Sequence, residues 1–228
     1  MDHHAEHHHH HHTVAGKSEV TASVTYADGV ITIELKDKEG NAPEIGISHE
    51  KEMHFVIVSA DLQEYYHGHP ENQGNGIYTL PKELSDNEYK VFVDIAPKNL
   101  SYAVTPIELH AGHGHHQGPI SNNLSVDQNL AQTADGHTVE LNATTFEAGQ
   151  DFSLQFDTKG EVPEPYLGAL GHVIILDENA EEYIHVHPAA KDKTQFDTVI
   201  EEAGKYKLWA EFRFNGKVTA YSYVIEVK

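Results

Sequence analysis

Two segments 118 residues apart carry one histidine pattern, and this repeat constrains the fold more than any other feature. EYYHGHP at 64–70 aligns with EYIHVHP at 182–188 with five identities in seven, and each follows an apolar run that opens on a histidine, His54 or His172. The offset is constant, since 172 − 54, 185 − 67 and 187 − 69 all equal 118. Further along, Tyr89-Lys90-Val91 aligns with Tyr206-Lys207-Leu208 and Asp94 with Glu211, now 117 apart. A tandem duplication of one domain accounts for both.

The runs around the repeat read as short strands. VTASVTYADGVITIEL alternates apolar and polar residues about Asp28-Gly29, a hairpin signal. HFVIVSA (54–60), GIYTL (76–80), YKVFVDI (89–95) and YAVTPIEL (102–109) follow in the first half. HTVELNA (137–143), DFSLQF (151–156), HVIILD (172–177), YKLWAEFRF (206–214) and YSYVIEV (221–227) follow in the second. No segment sustains a helical period. About seven strands per half predict an all-β chain of two tandem β-sandwiches, immunoglobulin-like or cupredoxin-like. The expected organisation is a His-rich segment at 1–16, domain 1 at 17–109, a His/Gly-rich linker at 110–136 and domain 2 at 137–228. Residues 7–12 are six consecutive histidines, the pattern of an affinity tag, whereas Asp2-His3-His4-Ala5-Glu6 is not usual tag design. His110, His113, His115 and His116 form a second, internal cluster.

Period two predicts the site geometry. His67 and His69 project to one face of their strand, as do His185 and His187, while Tyr66, Gly68, Ile184 and Val186 face the other way. A tight hairpin centred on Asp61-Leu62 sets residues summing to 123 opposite one another, so His54 faces His69; His172 faces His187 in the second half. Each hairpin then offers three imidazoles to one ion, at a strand end that proline leaves as an open rim. Imidazole without thiolate suits copper, zinc, nickel or iron, with Cu(II) favoured at equal availability and zinc next. The metal ligands expected are therefore His172, His185, His187, His54, His67 and His69. Further ligands or orienting groups can come from Glu64, Glu182, His49, Asp94 and Glu211. Met53 reads as core filling, with a thioether role for Cu(I) as the alternative. Tyr65 and Tyr183 share the histidine face by parity and read as packing residues, as do Trp209 and Phe212.

Charge and composition exclude several classes. With 15 Lys+Arg against 36 Asp+Glu the net charge is −21, which repels nucleic acid and anionic membranes. The absence of cysteine removes disulfides, thiolate sites and cysteine nucleophiles. No apolar run is long enough for a transmembrane segment.

PYLGALGHVIILDENAEEYIHVHP (165–188) and its diverged partner EMHFVIVSADLQEYYHGHPE (52–71) resemble a family of exported bacterial β-sandwich domains related to YtkA-like and FixH-like modules. The resemblance implies an immunoglobulin-like fold and an extracytoplasmic location, secreted, periplasmic or on a cell-surface lipoprotein. A lipidated cysteine would then precede this chain. It also implies heavy-metal handling, particularly of copper, and supports His172, His185 and His187 as site residues. The first half departs from the pattern, with Glu52-Met53 in place of Leu170-Gly171.

The expected function is buffering, sequestration or delivery of a divalent transition metal without catalysis, the ion passing to a metal transporter or chaperone. Two alternatives stay open: a metalloenzyme with an open three-histidine site, and an adhesion module that uses no metal.

Overall fold

The computed structural model describes residues 18–112, 124–142 and 145–228. These residues are all-β, in four four-stranded antiparallel sheets forming two tandem immunoglobulin-like sandwiches. Domain 1 pairs a sheet of β1 (Val20–Ala27), β2 (Val30–Asp37), β6 (Ile77–Pro81) and β5 (Glu71–Gly74) with one of β4 (Tyr65–Gly68), β3 (Met53–Ser59), β7 (Asn87–Ile95) and β8 (Ile107–Ala111). Domain 2 repeats this with β14 (Gln195–Val199), β11 (Asp151–Asp157), β10 (His137–Asn142) and β9 (Ala131–Ala134) against β13 (Tyr183–Val186), β12 (Gly171–Asp177), β15 (Gly204–Phe214) and β16 (Lys217–Val227). No described helix is long and apolar enough to cross a membrane.

Local rules account for most of the strands. The β1–β2 hairpin turns on Asp28 and Gly29, with φ of 50° and 74°, the doubly left-handed turn that matches strand twist. Inside each sandwich the alternating residues meet. Phe55, Ile57, Val91 and Val93 pack on Ile31, Ile33 and Tyr78 in domain 1, and Val173, Ile175, Leu208 and Phe212 on Leu141, Phe156 and Phe196 in domain 2. Met53 is 1% exposed within the domain 1 core, on the opposite face from His54. Gly171, its counterpart, stands opposite Phe212, whose ring lies where a Cβ would be, at 2.5 Å. Strand pairs Met53/Ile95 and Gly171/Phe212 thus fill equivalent space with different residues.

The outer faces of the two sandwiches are also buried. Every residue of β3 is buried, as is every residue of β12 up to Leu176. The reason is a third apolar cluster that joins the halves: Val56, Val58, Leu62 and Phe92 of domain 1 pack against Ile174, Leu176, Ala180, Tyr183 and Trp209 of domain 2. The β4-β3-β7-β8 and β13-β12-β15-β16 sheets therefore pack against each other. Tyr65 stacks on Trp209 with centroids 4.6 Å apart, and Tyr183 stacks on Phe92 at 5.0 Å. Lys207 Nζ donates to the Leu62 carbonyl at 2.6 Å, and Lys90 Nζ to the Asn179 carbonyl at 2.8 Å. Tyr65, Tyr183 and Trp209 are thus packing residues, as expected, but between sandwiches rather than within one.

Two expectations change. The stretch 110–136 is not all linker, because β8 runs to Ala111 and β9 lies at Ala131–Ala134, hydrogen-bonded to β10. Ala-Gln-Thr-Ala carries no apolar alternation that would have announced a strand. The histidine rim is also not open at the sandwich surface, since the other half covers it. His113, His115 and His116, and residues 1–17, lie outside the described residues.

Candidate metal centre

Hairpins β3–β4 and β12–β13 place the histidines as their registers require. Val56 pairs with His67 and Phe55 with Gly68, each summing to 123, and Ile174 pairs with His185 in the equivalent ladder. On each outer face the apolar residues occupy one end and the histidines the other. Apposition of the sheets then gathers His54, His67, His69, His172, His185 and His187, with His49 as a seventh, at the end of the interface beyond the apolar cluster.

The domain 1 trio is compact. His54, His67 and His69 have ring centroids 4.9–5.3 Å apart, and one ligand nitrogen from each lies within 4.8 Å of the others. Imidazoles bound to one ion at about 2.0–2.1 Å in tetrahedral geometry have centroids about 5.2 Å apart. In domain 2, His185 is 5.0 Å from His187 and 6.0 Å from His172. His185 also approaches the first trio, 5.1 Å from His54.

Hydrogen bonds fix which nitrogen each ring turns inward. His54 Nε2 donates to the Ser48 carbonyl at 3.0 Å, and His172 Nε2 to the Tyr166 carbonyl at 3.0 Å, positions again 118 apart. A carbonyl only accepts, so both rings carry hydrogen on Nε2 and present Nδ1 as a lone pair. His67 Nδ1 donates to Glu211 Oε2 at 2.8 Å, and His185 Nδ1 to Asp94 Oδ2 at 2.8 Å, leaving Nε2 inward. Consequently His54 Nδ1 and His67 Nε2 face each other at 3.1 Å as two acceptors, a contact that needs a proton or a metal ion between them. His69 Nε2, His172 Nδ1 and His185 Nε2 are buried with no hydrogen-bond partner.

The orienting carboxylates cross between the halves. In the sheets, Asp94 stands opposite His54 and Glu211 opposite His172, yet each carboxylate bonds a histidine and a tyrosine of the other domain. Glu211 accepts from His67 and, at 3.3 Å, from Tyr65; Asp94 accepts from His185 and, at 3.1 Å, from Tyr183. Carboxylate–histidine pairs of this kind fix ring orientation and raise ligand basicity at metal sites. Glu64 and Glu182, also expected as candidates, instead bind Tyr89 and Tyr206 at 2.8 and 3.0 Å, at the far end of their strands.

Burial opposes protonation at several of these rings. It is the largest cause lowering His54 to about 4 and His185 to about 3, and it holds His172 well below the ordinary value. Burial thus disfavours the protonated form at His54, His172 and His185, which leaves their inward nitrogens as lone pairs that a divalent cation can take up.

The unfolded chain protonates these histidines below about 6.5, while the fold resists until about 4 at His54 and about 3 at His185. The unfolded state therefore binds more protons in that window, so stability falls as pH drops through it, by up to about 1.4 kcal/mol per pH unit for each histidine. Thermal melts in chelator from pH 7 to pH 4 should show a steep fall in Tm; a flat profile over that range would show that these rings titrate normally.

A model for a domain of unknown function, DUF8832, matches residues 132–228, the second sandwich. No curated protein is a significant sequence match. Among solved structures, two fibronectin type III domains of chicken tenascin align at 10% identity over 90% of this chain and 97% of that one, with a TM-score of 0.29. The FN1–FN3 domains of chicken CNTN1 align at 9% identity over 91% of this chain and 66% of that one, with a TM-score of 0.27. The Escherichia coli adhesin FdeC aligns at 17% identity over 93% of this chain and 65% of that one, with a TM-score of 0.26.

Proposed function

We propose that this protein binds a divalent transition metal in its interdomain histidine cluster and serves to buffer, sequester or deliver it outside the cytoplasm. The observation that carries the reading is the pair of inward lone pairs on His54 and His67 at 3.1 Å, with His69 completing the set. The outer N–H groups of His54 and His67 already donate to the Ser48 carbonyl and to Glu211, so these two rings are ready as ligands without rearrangement. Imidazole-only ligation favours Cu(II), then Zn(II), with nickel and iron as further candidates. The resemblance to exported metal-associated sandwich domains supports the location, and the net charge of −21 supports cation collection. Nothing in the arrangement requires a reaction; a transporter or metal chaperone is the partner such a protein would serve.

The test uses the full chain with the histidines of residues 1–12 and His110, His113, His115 and His116 replaced by alanine. With Cu(II) or Zn(II) at about 100 times its dissociation constant, binding to the folded state adds about 2.7 kcal/mol, or a rise in Tm of about 5–11 °C. His54→Ala, His67→Ala and His69→Ala combined should remove the part of that rise that this trio contributes. A protein whose melting is indifferent to both metals would overturn the proposal.

A further inference from the structure

The first half contributes one histidine that the repeat does not explain. His49 and Glu50 form a two-residue turn between Ser48 and Lys51, closed by Ser48 N–H to Lys51 O at 2.8 Å and Lys51 N–H to Ser48 O at 3.0 Å. Both central residues are left-handed, with φ of 46° and 64°. The equivalent turn in the second half has Leu167 and Gly168 at φ of 51° and 78°, between Tyr166 and Ala169. A histidine thus stands where the other copy has leucine, and a left-handed backbone is held there at a cost of about 1–2 kcal/mol.

That turn aims His49 across the interface. Its ring lies 4.0 Å from His187, 6.0 Å from His185 and 6.1 Å from His172, centroid to centroid. Two of these three rings are almost fully buried, at 0% exposure for His172 and 3% for His185, and each presents an inward nitrogen with no partner. Domain 2 therefore holds two orphaned lone pairs with fixed tautomers, on rings 6.0 Å apart, with His187 5.0 Å from His185 and a fourth imidazole arriving from the other half; the four rings are more widely spread than the domain 1 trio and draw together around an ion.

We infer that His49, His172, His185 and His187 form a second metal centre, for a borderline divalent ion such as Zn(II), closed in trans by the first half. This rests on the metal-binding reading above and adds to it a second ion, a fourth ligand and an asymmetry. The domain 1 centre has three histidines and a fourth coordination position that none of them fills; the domain 2 centre has four and is complete, suited to holding its ion. An ion there also ties the halves together through side chains from both.

Ion content distinguishes the possibilities. The full chain, with the histidines of 1–12 and 110–116 replaced as above, is loaded with Zn(II), freed of loose ions and analysed by mass spectrometry. Two ions per chain are expected. His49→Leu, which copies the residue at Leu167, should leave one, His69→Ala should leave one, and the double variant none. His49→Asn, which tolerates the left-handed turn, repeats the measurement if His49→Leu does not fold. A parent with one ion, a His49→Leu or His49→Asn protein with two, or a double variant with one would overturn the second centre while leaving the first. A parent with none would remove the metal-binding reading itself, and this inference with it.

Discussion

Trp209→Ala is expected to cost about 3–5 kcal/mol and to lower Tm by about 6–20 °C. Trp209 is 3% exposed, yet it sits in neither sandwich core. Its ring stacks on Tyr65 of the other half, lies against Ile174 of the neighbouring strand, and receives the Lys207 ammonium 5.5 Å from its centroid. Truncation leaves a cavity in a rigid sheet-to-sheet contact, where two opposed backbones are too constrained to close the gap. Were the halves merely tethered, the loss would be small, since an outward-facing tryptophan on a free sandwich packs against nothing. Thermal or denaturant unfolding of the single variant, metal-free, separates the two outcomes.

The second large effect concerns the carboxylates. Glu211→Gln should weaken metal binding by about 10–100-fold at His54, His67 and His69, although Glu211 belongs to the other half. Asp94→Asn should do the same for the histidines of domain 2. The substitutions remove the negative charge that holds His67 and His185 with hydrogen on Nδ1, so each ring loses basicity and orientation. Competition with a chelator of known affinity reads the change. Repeating Glu211→Gln in a His69→Ala background tests the crossing, because the effect should vanish once the first centre is gone. An effect that persists there would assign Glu211 to His172, its neighbour in the sheet.

These crossed contacts leave no trace in the local sequence pattern. Strand parity is local, so the common face of Tyr65, His67 and His69, and the pairing of positions summing to 123, followed from period two and turn length. Asp94 and Glu211 were visible as a repeated pair of acids, but their partners were not, since a carboxylate one strand away and one a whole domain away look alike in sequence. His49 carried no repeat signal, because its counterpart is Leu167. Strands β5, β9 and β14 are short and mostly polar, and their pairing comes from neighbours rather than from their own alternation. HFVIV and HVIIL did contain a hint, for a strand apolar at every position is suited to burial on both faces.

The sequence by itself determined the all-β character and the two histidine hairpins, because both depend on spacings of two to about a dozen residues, and the duplication, because its offset of 118 is constant. Only the tertiary structure decided that the two outer faces meet, that six histidines become one cluster with a seventh, and that each half supplies the other's orienting carboxylate. The physical reason is that face-to-face packing is chosen by the fit of two whole surfaces, Val56, Val58 and Phe92 against Ile174, Leu176 and Trp209, and no local pattern specifies which surface a buried face will find.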